Sequence, residues 1–446
     1  MPQLIISISG IRGIVGDGLG PAEVERFALA FGTMVGGGRV ILARDSRPSG
    51  PLLAEAFKKG LRATGCAVAD AGILSTPGAS VLVTHFGAAG GAVITASHNP
   101  LPWNGIKLMS PKGVALSRDR GQAVLDILER RAFARAAQPG AAESLSDGPE
   151  IHVGRVLPTV GAAKIRAAGF RVAVDPVNGA GGREMGLLLE RLGCHVVMIN
   201  AKPTGEFARG PEPIPTNIGG LSRAVCESGA GLGLALDPDA DRLSLVDETG
   251  CAIGEEYTLA LACRHRLSQK RGPIAANLST SRMLDFVARE AGVPILRTPV
   301  GELNVAEAIE REGCVIGGEG NGGVIDPRVA LVRNSLSGAA LVLEMMAWRR
   351  RKLSELAGEL PVYTMVKDKV ALAGVQPAEV FEAMRRRFAD SSADDRDGLY
   401  LSSDKGWLHV RPSNTEPVLR IMAEAADEAL ARAWVEEVKA MAAGRA

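Results

Sequence analysis

The sequence has few aromatic residues, almost no net charge and no long hydrophobic run, and each shortage excludes a class of protein. Phe, Trp and Tyr make up 4% of its 446 residues, too few for the stacking platforms of single-strand nucleic-acid binders. The formal net charge is +1, so no overall field attracts nucleic acid or a membrane surface. No run of about 18 apolar residues occurs, and the start Met1-Pro2-Gln3 has no leader pattern. We therefore expect a soluble cytoplasmic protein.

Paired cysteines are also missing, because none of the six cysteines forms a C-x-x-C spacing. This excludes the usual zinc and redox motifs, and we expect reduced cysteines in the core of a cytosolic protein. They are Cys66, Cys194, Cys226, Cys251, Cys263 and Cys314. Apolar residues, at 46%, and glycine, with 54 residues, are abundant, and this composition favours a loop-rich α/β enzyme. The length of the chain suggests about three domains.

One order of elements occurs three times along the chain. Each copy has an apolar strand, a helical stretch, a second strand led by a glycine, and a third glycine-led strand. Such alternation predicts right-handed crossovers and sheets with parallel pairs, covered by helices. The first strands and helices are predicted at 39–43 and 52–63, at 171–174 and 183–192, and at 273–277 and 282–290.

A motif follows the third strand of each copy: Thr95–Pro100, Asp237–Arg242 and Gly318–Gly323. Ligands of open α/β sheets bind outside the carboxyl ends of the strands. We therefore expect three domains that each contribute one loop to a shared cleft. Three unrelated turns would be the alternative, but they would not explain the common position.

The remaining C-terminal stretch is an α+β module of about 85 residues. The fold class is thus three similar α/β domains with mixed sheets flanked by helices, plus this module. Residues 134–150 are rich in Ala, Gly, Ser and Pro and are interpreted as a linker. The predicted domains are 1–142, 150–250, 251–360 and 361–446.

Asp237, Asp239 and Asp241 stand at i, i+2 and i+4 after an apolar strand. In an extended or looping segment this spacing turns the carboxylates toward one point, where they repel one another unless a cation is present. Oxygen ligands favour Mg²⁺. A solvated acidic loop is the alternative; an EF-hand fits poorly, because Arg242 occupies the position of its glycine. A basic residue here suggests a nearby phosphate.

Ser97 is the candidate nucleophile, and His98 beside it is a further candidate catalytic residue. No G-x-S-x-G elbow surrounds Ser97, and adjacent side chains rarely face each other, which argues against a Ser-His hydrolase. A serine attacks phosphorus with the help of a divalent metal and a basic group. Lys107 and the glycine-flanked Arg12 are candidates for that cation, although each alone could be a surface charge.

A fourth polar turn, Arg411–Pro417, lies between the last two predicted strands. Its arginine fork, hydroxyls and amide suit a bound phosphate, with Arg420 as a second cation. A polar hairpin turn is the alternative. The proposed ligands are Arg411, Ser413, Asn414, Thr415 and Arg420.

These four motifs, in this order and spacing, resemble those of the α-D-phosphohexomutase family, which includes phosphoglucomutases, phosphomannomutases and phosphoglucosamine mutases. The resemblance covers the whole chain. It implies a four-domain, heart-shaped molecule with its active site in the central cleft. It also implies a phosphoserine at Ser97 and Mg²⁺ held by that phosphate together with Asp237, Asp239 and Asp241.

The resemblance implies roles for the other motif residues as well. Glu319 and Asn321 would bind sugar hydroxyls, and the fourth turn would hold the phosphate that is not reacting. Arg12 and Lys107 would assist transfer, with Lys107 as a general acid or base. Arg242, which ends the aspartate motif, is a further candidate catalytic residue.

The implied reaction is two transfers through a hexose 1,6-bisphosphate, which also serves as activator. The expected partner is a small phosphosugar, with no nucleic acid or membrane, and the expected state is a monomer or homodimer. A Mg²⁺-dependent phosphatase and a non-catalytic sugar-phosphate sensor remain alternatives.

The third motif departs from the pattern of many relatives, Glu-x-Ser-x-His. Here it is Glu319-Gly320-Asn321-Gly322-Gly323, so the histidine is absent and its role is dispensable or supplied elsewhere. The Asn-Gly-Gly form resembles archaeal-type members assigned to glucosamine or glucose phosphates. Glucosamine phosphate is the first choice of substrate, ahead of glucose and mannose phosphates.

Overall fold

The computed structural model describes residues 4–413 and 417–444. Its first sheet contains β1 (Ile5–Ser7), β2 (Gly10–Val15), β3 (Gly18–Leu19), β4 (Arg39–Arg44), β5 (Ala67–Ile73), β6 (Gly90–Ile94), β7 (Trp103–Met109) and β8 (Ala142–Ser144). Its helices are α1 (Pro21–Val35), α2 (Gly50–Ala63), α3 (Thr76–His85) and α4 (Arg118–Arg130). The strand order is β1-β2-β7-β6-β4-β5-β8, with β3 paired to β2.

The second sheet follows α5 (Gly148–Val156) and α6 (Ala162–Ala168) and has the order β10-β9-β11-β12-β13. Its strands are β9 (Arg171–Asp175), β10 (His195–Met198), β11 (Leu232–Leu236), β12 (Leu243–Asp247) and β13 (Ala252–Gly254). The helices α7 (Gly182–Arg191) and α8 (Gly219–Ser228) join them, and two 3₁₀ turns occur at Leu157–Thr159 and Pro215–Asn217.

The third sheet, ordered β15-β14-β16-β17, contains β14 (Ile274–Asn277), β15 (Ile295–Thr298), β16 (Ile316–Glu319) and β17 (Gly323–Ile325). Its helices are α9 (Glu255–Gln269), α10 (Met283–Ala291), α11 (Glu302–Glu312), α12 (Ser335–Arg349) and α13 (Leu353–Ala357).

The predicted threefold pattern is confirmed. The sheets share the segments β5-β4-β6-β7, β10-β9-β11-β12 and β15-β14-β16-β17, in which the first three strands are parallel and the fourth is antiparallel. Each predicted loop therefore joins a third strand to the antiparallel fourth strand. The third strands β6, β11 and β16 are buried along their whole length, as expected for strands covered on both faces.

The hydrophobic cores decide which loops are fixed to one another. One continuous core contains Leu234 and Leu245 of the second sheet together with Ile316 and Leu341 of the third domain. A separate core fills the first domain around α1 and α2, where the rings of Phe31 and Phe57 lie 6.3 Å apart. The second and third domains are thus packed as one apolar body, which sets the relative position of their loops.

The C-terminal module forms the predicted α+β structure with its own core. Its antiparallel sheet has the order β18-β22-β21-β20-β19. The strands are β18 (Thr364–Ala371), β19 (Ser392–Asp394), β20 (Leu399–Ser403), β21 (Gly406–Pro412) and β22 (Val418–Ala425), with helices α14 (Pro377–Arg387) and α15 (Glu428–Ala442).

Three expectations need correction. Residues 134–150 are not a plain linker, because β8 extends the first sheet beside β5 and α5 begins at Gly148. Cys226 and Cys251 are exposed and Cys194 is half-buried, so only the other three cysteines are core residues. The strand β16 continues to Glu319, which shortens the third loop.

Across the described ranges, no helix has the length and apolarity needed to span a membrane.

Candidate active site

Ser97 lies at the carboxyl end of β6 in a left-handed backbone conformation with φ of 49°. Only 4% of the residue is exposed. Its N–H donates to Thr95 Oγ1 at 2.9 Å, and its hydroxyl donates to Asp237 Oδ2 at 3.2 Å. A serine in this region costs of order 1–3 kcal/mol and is found where surrounding contacts hold the backbone at a functional site.

Arg47 supplies most of those surrounding contacts. The residue is fully buried and forms a salt bridge with Asp45 at 3.0 Å, and Asp45 also accepts from the hydroxyl of Thr95. Its guanidinium donates to four carbonyl oxygens of the loop, those of Ser97 at 2.8 Å, Asn99 at 2.5 Å, Pro100 at 3.3 Å and Trp103 at 2.8 Å. The guanidinium also lies 5.0 Å from the ring of Phe207 in the second domain. Arg47 therefore fixes the shape of the Ser97 loop.

The three aspartates of the second loop converge as their spacing predicts. Asp237, Asp239 and Asp241 are fully buried, and one carboxylate oxygen from each lies within 4.8 Å of the others. Ala240, with φ of 55°, turns the backbone between them. The N–H of Arg242 donates to Asp237 Oδ1 at 3.1 Å. One local segment thus brings three carboxylates to a point.

The donor set fits a divalent cation. The Oδ1 atoms of Asp239 and Asp241 are buried and have no hydrogen-bond partner among the described residues. Leaving a buried charged oxygen unsatisfied costs several kcal/mol or more. Three carboxylates without nitrogen or sulfur ligands suit a hard ion such as Mg²⁺. A cation bound there would satisfy both atoms.

The opposite oxygens of two of these carboxylates are occupied by protein donors. Asp239 Oδ2 accepts from Thr76 Oγ1 at 2.5 Å and Lys107 Nζ at 2.7 Å, and Asp241 Oδ2 accepts from Lys107 Nζ at 3.1 Å and Arg333 Nη2 at 2.7 Å. Burial opposes the charge of Lys107, but Asp239 and Asp241 outweigh it and raise the pKa of that amine. Burial likewise opposes the charge of Asp241, yet Arg333 and Lys107 hold its pKa below the usual range. The charges of Lys107 and Asp241 therefore stabilise each other.

Arg12, His98 and Arg242 surround the serine. Arg12 on β2 donates to Asn99 Oδ1 at 2.8 Å, and Arg242 forms a salt bridge with Glu212 at 2.7 Å. The pKa of His98 is well below its usual value, because Arg242, burial and Arg12 all disfavour the imidazolium. The site therefore combines a neutral imidazole with two guanidinium groups.

His98 differs from expectation, since its Nδ1 lies 3.4 Å from the Ser97 hydroxyl. The left-handed backbone at Ser97 allows the adjacent side chains to approach. Among the described residues, no carboxylate hydrogen bonds to the His98 ring to orient it, as a hydrolase triad requires.

Glu319 is buried at the end of β16 with both carboxylate oxygens engaged. Oε1 accepts from Asn277 Nδ2 at 2.7 Å and from the N–H of Gly301 at 3.2 Å, and Oε2 accepts from Arg333 Nη1 at 2.7 Å. The side-chain oxygen of Asn321 is buried and, within the described part of the chain, unpaired. Glu319 is therefore held in one orientation, while the side-chain oxygen of Asn321 can still accept a hydrogen bond.

The second and third loops touch through their backbones. The N–H of Leu243 donates to the carbonyl of Gly322 at 3.0 Å. Gly322 has φ of 86°, and a Cβ there would lie 2.2 Å from the carbonyl oxygen of Leu243. Only glycine allows this approach, so the second and third loops are joined directly.

The fourth turn is attached differently. Arg411, near the end of β21, forms a salt bridge with Asp397 at 2.9 Å, and Asp397 Oδ2 accepts from the N–H of Val300 in the third domain at 2.8 Å. Arg420 lies opposite Arg411 on β22 and donates to Ser413 Oγ at 3.2 Å. Asn414 and Thr415 lie outside the described residues. Asp397 thus connects the basic end of the fourth domain to the third domain.

Sequence reasoning placed the three loops correctly but missed residues that hold them, above all Arg47, Thr76 and Arg333. Arg47 follows the carboxyl end of β4, and Thr76 begins α3 beside the same sheet edge. The position after a buried strand was therefore an available signal for Arg47. Arg333 stands between β17 and α12 with no comparable signal.

Comparison with known proteins gives a consistent result. Models of phosphoglucomutase/phosphomannomutase domains match along the chain, with α/β/α domain I at residues 4–135, domain II at 151–250, domain III at 254–363 and the C-terminal domain at 366–441. The chain is 38% identical over 434 residues to a probable phosphoglucosamine mutase of Methanopyrus kandleri, covering 96% of this chain and 95% of the relative.

Two further similarities extend this result. The chain is 39% identical over 438 residues to a phosphoglucomutase/phosphomannomutase of Thermococcus kodakarensis, covering 96% of each. A crystal structure of a phosphoglucomutase/phosphomannomutase family protein from Burkholderia thailandensis superposes with a TM-score of 0.84 at 27% identity, covering 98% of this chain and 97% of that one.

Proposed function

The chain belongs to the phosphoglucomutase/phosphomannomutase family, and we propose that glucosamine phosphate is the phosphohexose it isomerises. The protein is a phosphohexomutase, an isomerase that moves a phosphoryl group between two oxygens of one sugar. The likeness to the Methanopyrus kandleri relative and the Asn-Gly-Gly form of the third loop support glucosamine phosphate over glucose and mannose phosphates.

The observation that carries the mechanism is the contact between the Ser97 hydroxyl and Asp237 at the edge of the buried carboxylate cluster. We assign Ser97 as the phosphorylated residue, and Asp237, Asp239 and Asp241, with the phosphate, as ligands of Mg²⁺. The ion, when bound, neutralises charge on the transferring phosphoryl group. The left-handed loop held by Arg47 aims Ser97 at the substrate.

The reaction is two balanced transfers. In the first, the Oγ–P bond of phospho-Ser97 breaks as a sugar oxygen forms a bond to the same phosphorus; the sugar hydroxyl loses its proton and the released Ser97 Oγ gains one. The hexose 1,6-bisphosphate then turns over. In the second transfer, the bond between phosphorus and the other sugar oxygen breaks and the Oγ–P bond re-forms; the Ser97 hydroxyl loses its proton and the departing sugar oxygen gains one.

The cations of the cleft serve these transfers. Lys107 is held protonated between two aspartates, and we assign it as the acid that protonates the departing sugar oxygen. Arg12 and Arg242 stabilise charge on the transferring group. His98, neutral beside Ser97, completes the set of catalytic candidates.

Glu319 and Asn321 bind sugar hydroxyls in this scheme, and the fourth turn holds the phosphate that is not reacting. The same turn accepts the 1-phosphate or the 6-phosphate, because the intermediate binds in two orientations. Exogenous hexose 1,6-bisphosphate restores phospho-Ser97 whenever it is lost to water. The residues of the turn are Arg411, Ser413, Asn414, Thr415 and Arg420.

We also propose that the domains are residues 1–142, 150–250, 251–360 and 361–446 and that the enzyme is a cytoplasmic monomer or homodimer. Light scattering of the purified protein tests the oligomeric state, and a trimer or larger assembly would contradict it. Limited proteolysis tests the boundaries, with cuts expected at the junctions.

The function is tested by offering the protein Mg²⁺, a trace of hexose 1,6-bisphosphate and the 1-phosphates of glucosamine, glucose, mannose and N-acetylglucosamine in parallel. The 6-phosphates and free phosphate are quantified together. We expect glucosamine 6-phosphate to form fastest and Ser97→Ala to lose at least about 10³-fold in rate, with the exposed-serine variant Ser392→Ala unchanged. Free phosphate without isomer would mean a phosphatase, and no product from any sugar would mean a sensor.

A further inference from the structure

Arg333 is the one side chain named above that contacts both the second loop, Asp237–Arg242, and the third loop, Gly318–Gly323. From their proposed ligands we call these the metal loop and the sugar loop. We propose that Arg333 is a positioning residue that couples these loops, so that metal and sugar phosphate each strengthen the binding of the other. The proposal rests on the proposed roles of Asp241 in metal binding and Glu319 in sugar binding. It assigns to Arg333 a function in the reaction that does not require contact with the substrate.

The guanidinium of Arg333 holds three carboxylates at once. Nη2 lies 2.7 Å from Asp241 Oδ2, Nη1 lies 2.7 Å from Glu319 Oε2, and Nε lies 3.0 Å from Glu302 Oε2. The side chain is 11% exposed. A rigid planar fork fixes the relative positions of its partners in a way that a lysine amine cannot. The positions of Asp241 and Glu319 are therefore set by one group.

Protein donors hold one oxygen of Asp241 and both oxygens of Glu319 in this arrangement. At Asp241, the guanidinium takes Oδ2, while the buried Oδ1 has no hydrogen-bond partner among the described residues, lies 3.8 Å from Arg242 Nε and can still bind a cation. At Glu319, Arg333 takes Oε2 while Asn277 and Gly301 take Oε1, so the carboxylate plane is fixed. A cation that draws Asp241 into place thus orders Arg333, and through it Glu319.

Gly323 makes room for this connection. A Cβ at Gly323 would lie 2.2 Å from Cδ of Arg333 and 2.6 Å from its Cγ, so the arginine stem passes directly over the glycine. In the motif of many relatives, Glu-x-Ser-x-His, the histidine stands at the position of Gly323. The absence of this histidine and the path of Arg333 are therefore connected, because a side chain at position 323 would occupy the space of the arginine stem. Any side chain at 323 would displace the arginine.

The coupling is measured as a ratio of dissociation constants. In a Ser97→Ala background, which blocks transfer, calorimetry gives the Kd of glucosamine 6-phosphate with and without saturating Mg²⁺. We expect Mg²⁺ to tighten binding by about 5-fold or more in this parent, the usual range for coupled sites. Adding Arg333→Met should bring the ratio to about 1.

Two further variants and one control distinguish a loss of positioning from a loss of charge or a failure to fold. Arg333→Lys keeps a cation that can hold one carboxylate, so its ratio should fall between those of the parent and Arg333→Met. Gly323→Ala leaves Arg333 in the chain but blocks its path, and should also lower the ratio. Arg311→Met, which removes an arginine exposed on α11 of the same domain, should leave the ratio unchanged. Thermal melts identify any variant that fails to fold.

The proposal is overturned if folded Arg333→Met and Gly323→Ala proteins keep the ratio of the parent. A parent ratio of 1 would also overturn it. Neither result bears on the proposed function. That function is tested separately, by whether the enzyme with Ser97 intact isomerises the 1-phosphates. If that assay selects another sugar, the coupling is measured with the 6-phosphate of that sugar. Should Arg333→Met unfold, Arg333→Lys and Gly323→Ala decide the outcome.

Discussion

The proposed transfer centre and the proposed phosphate clamp of the fourth domain are built in opposite ways. The centre comprises Ser97, its loop and the three aspartates, and its groups are buried and joined by direct hydrogen bonds between the first three domains. The clamp comprises Arg411, Ser413 and Arg420 on a domain that has its own hydrophobic core.

The contacts of the fourth domain with the third are polar and individually small. Asp397 accepts from the N–H of Val300, Ser279 Oγ lies 2.8 Å from His409 Nδ1, and Glu424 accepts from the N–H of Arg282. Each is a single hydrogen bond between two domains whose hydrophobic cores are separate. The difference matches the two demands of a mutase, since phosphoryl transfer needs fixed groups and the intermediate must turn over. We infer that the fourth domain is the part that moves.

Removing a carboxylate from the centre should have the largest effect. Asp239→Asn loses a metal ligand and weakens the bonds to Thr76 and Lys107, so the mutase rate should fall at least about 10³-fold. Steady-state rates and Mg²⁺ calorimetry measure the two losses. Asp247→Asn, a buried aspartate at the end of β12, is the control and should keep both properties. A rate above a tenth of the parent's would contradict the assignment.

Loosening the Ser97 loop should have the next largest effect. Arg47→Met removes the donors to four loop carbonyls, and a displacement of about 1 Å costs about 10²-fold in kcat. KM should change little, because Arg47 does not reach the clamp. Millimolar guanidinium should restore part of kcat, and Arg39→Met, at an exposed position on β4, should behave as the parent. Equal losses in kcat from both variants would refute this role.

Weakening the clamp should act on binding instead. Arg411→Met removes a charged hydrogen-bond donor to the distal phosphate, so KM should rise about 10-fold or more, with a smaller fall in kcat. Initial rates over a range of sugar 1-phosphate concentrations separate the two constants. Arg396→Met, which removes an exposed arginine of the same domain, is the control. If Arg411→Met lowered kcat alone, the contrast between centre and clamp would be lost.

The smallest effect concerns pH. Burial lowers the pKa of His409 below its usual value, so the folded protein holds it neutral. Above about pH 6.5 both the folded and unfolded states are neutral there; as pH falls through that value, only the unfolded state gains the proton. Stability should therefore decrease below about pH 6.5, by at most about 1.4 kcal/mol for each pH unit.

Urea unfolding of the parent and His409→Gln between pH 5 and 8 measures this effect. The difference in unfolding free energy between the two proteins isolates His409 from the other titrating groups. This difference in unfolding free energy should become smaller as the pH falls. A difference that stays constant, or grows toward low pH, would mean that His409 is not neutral in the fold.

The sequence was informative where the relevant residues are neighbours. Asp237, Asp239 and Asp241 belong to one turn, and their convergence follows from spacing alone. The positions of the three loops follow from the repeated order of strands and helices. The exposed strand β8 was missed because the apolar alternation that marks a half-buried strand is absent from Ala142–Ser144.

Contacts between residues that are far apart along the chain could not be predicted from the sequence. Thr76 meets Asp239 across 163 positions and Arg333 meets Asp241 across 92, and neither residue differs locally from many others of its type. The approach of His98 to Ser97 depends on a left-handed serine, which residue preferences do not favour. These features arise from tertiary packing and could be read only from the structure.

The long reach of Arg333 also orders events during synthesis. A ribosome that has just completed Asp241 has produced the acidic loop and the earlier Lys107 and Thr76, but Arg333 is still 92 residues away. Domains generally fold in N-terminal order as they emerge, so the nascent second domain must exist for a time with Asp241 lacking this counter-charge. On this scheme the metal loop reaches its final form only when the third domain has been made, and a chain released before that point carries an incomplete centre.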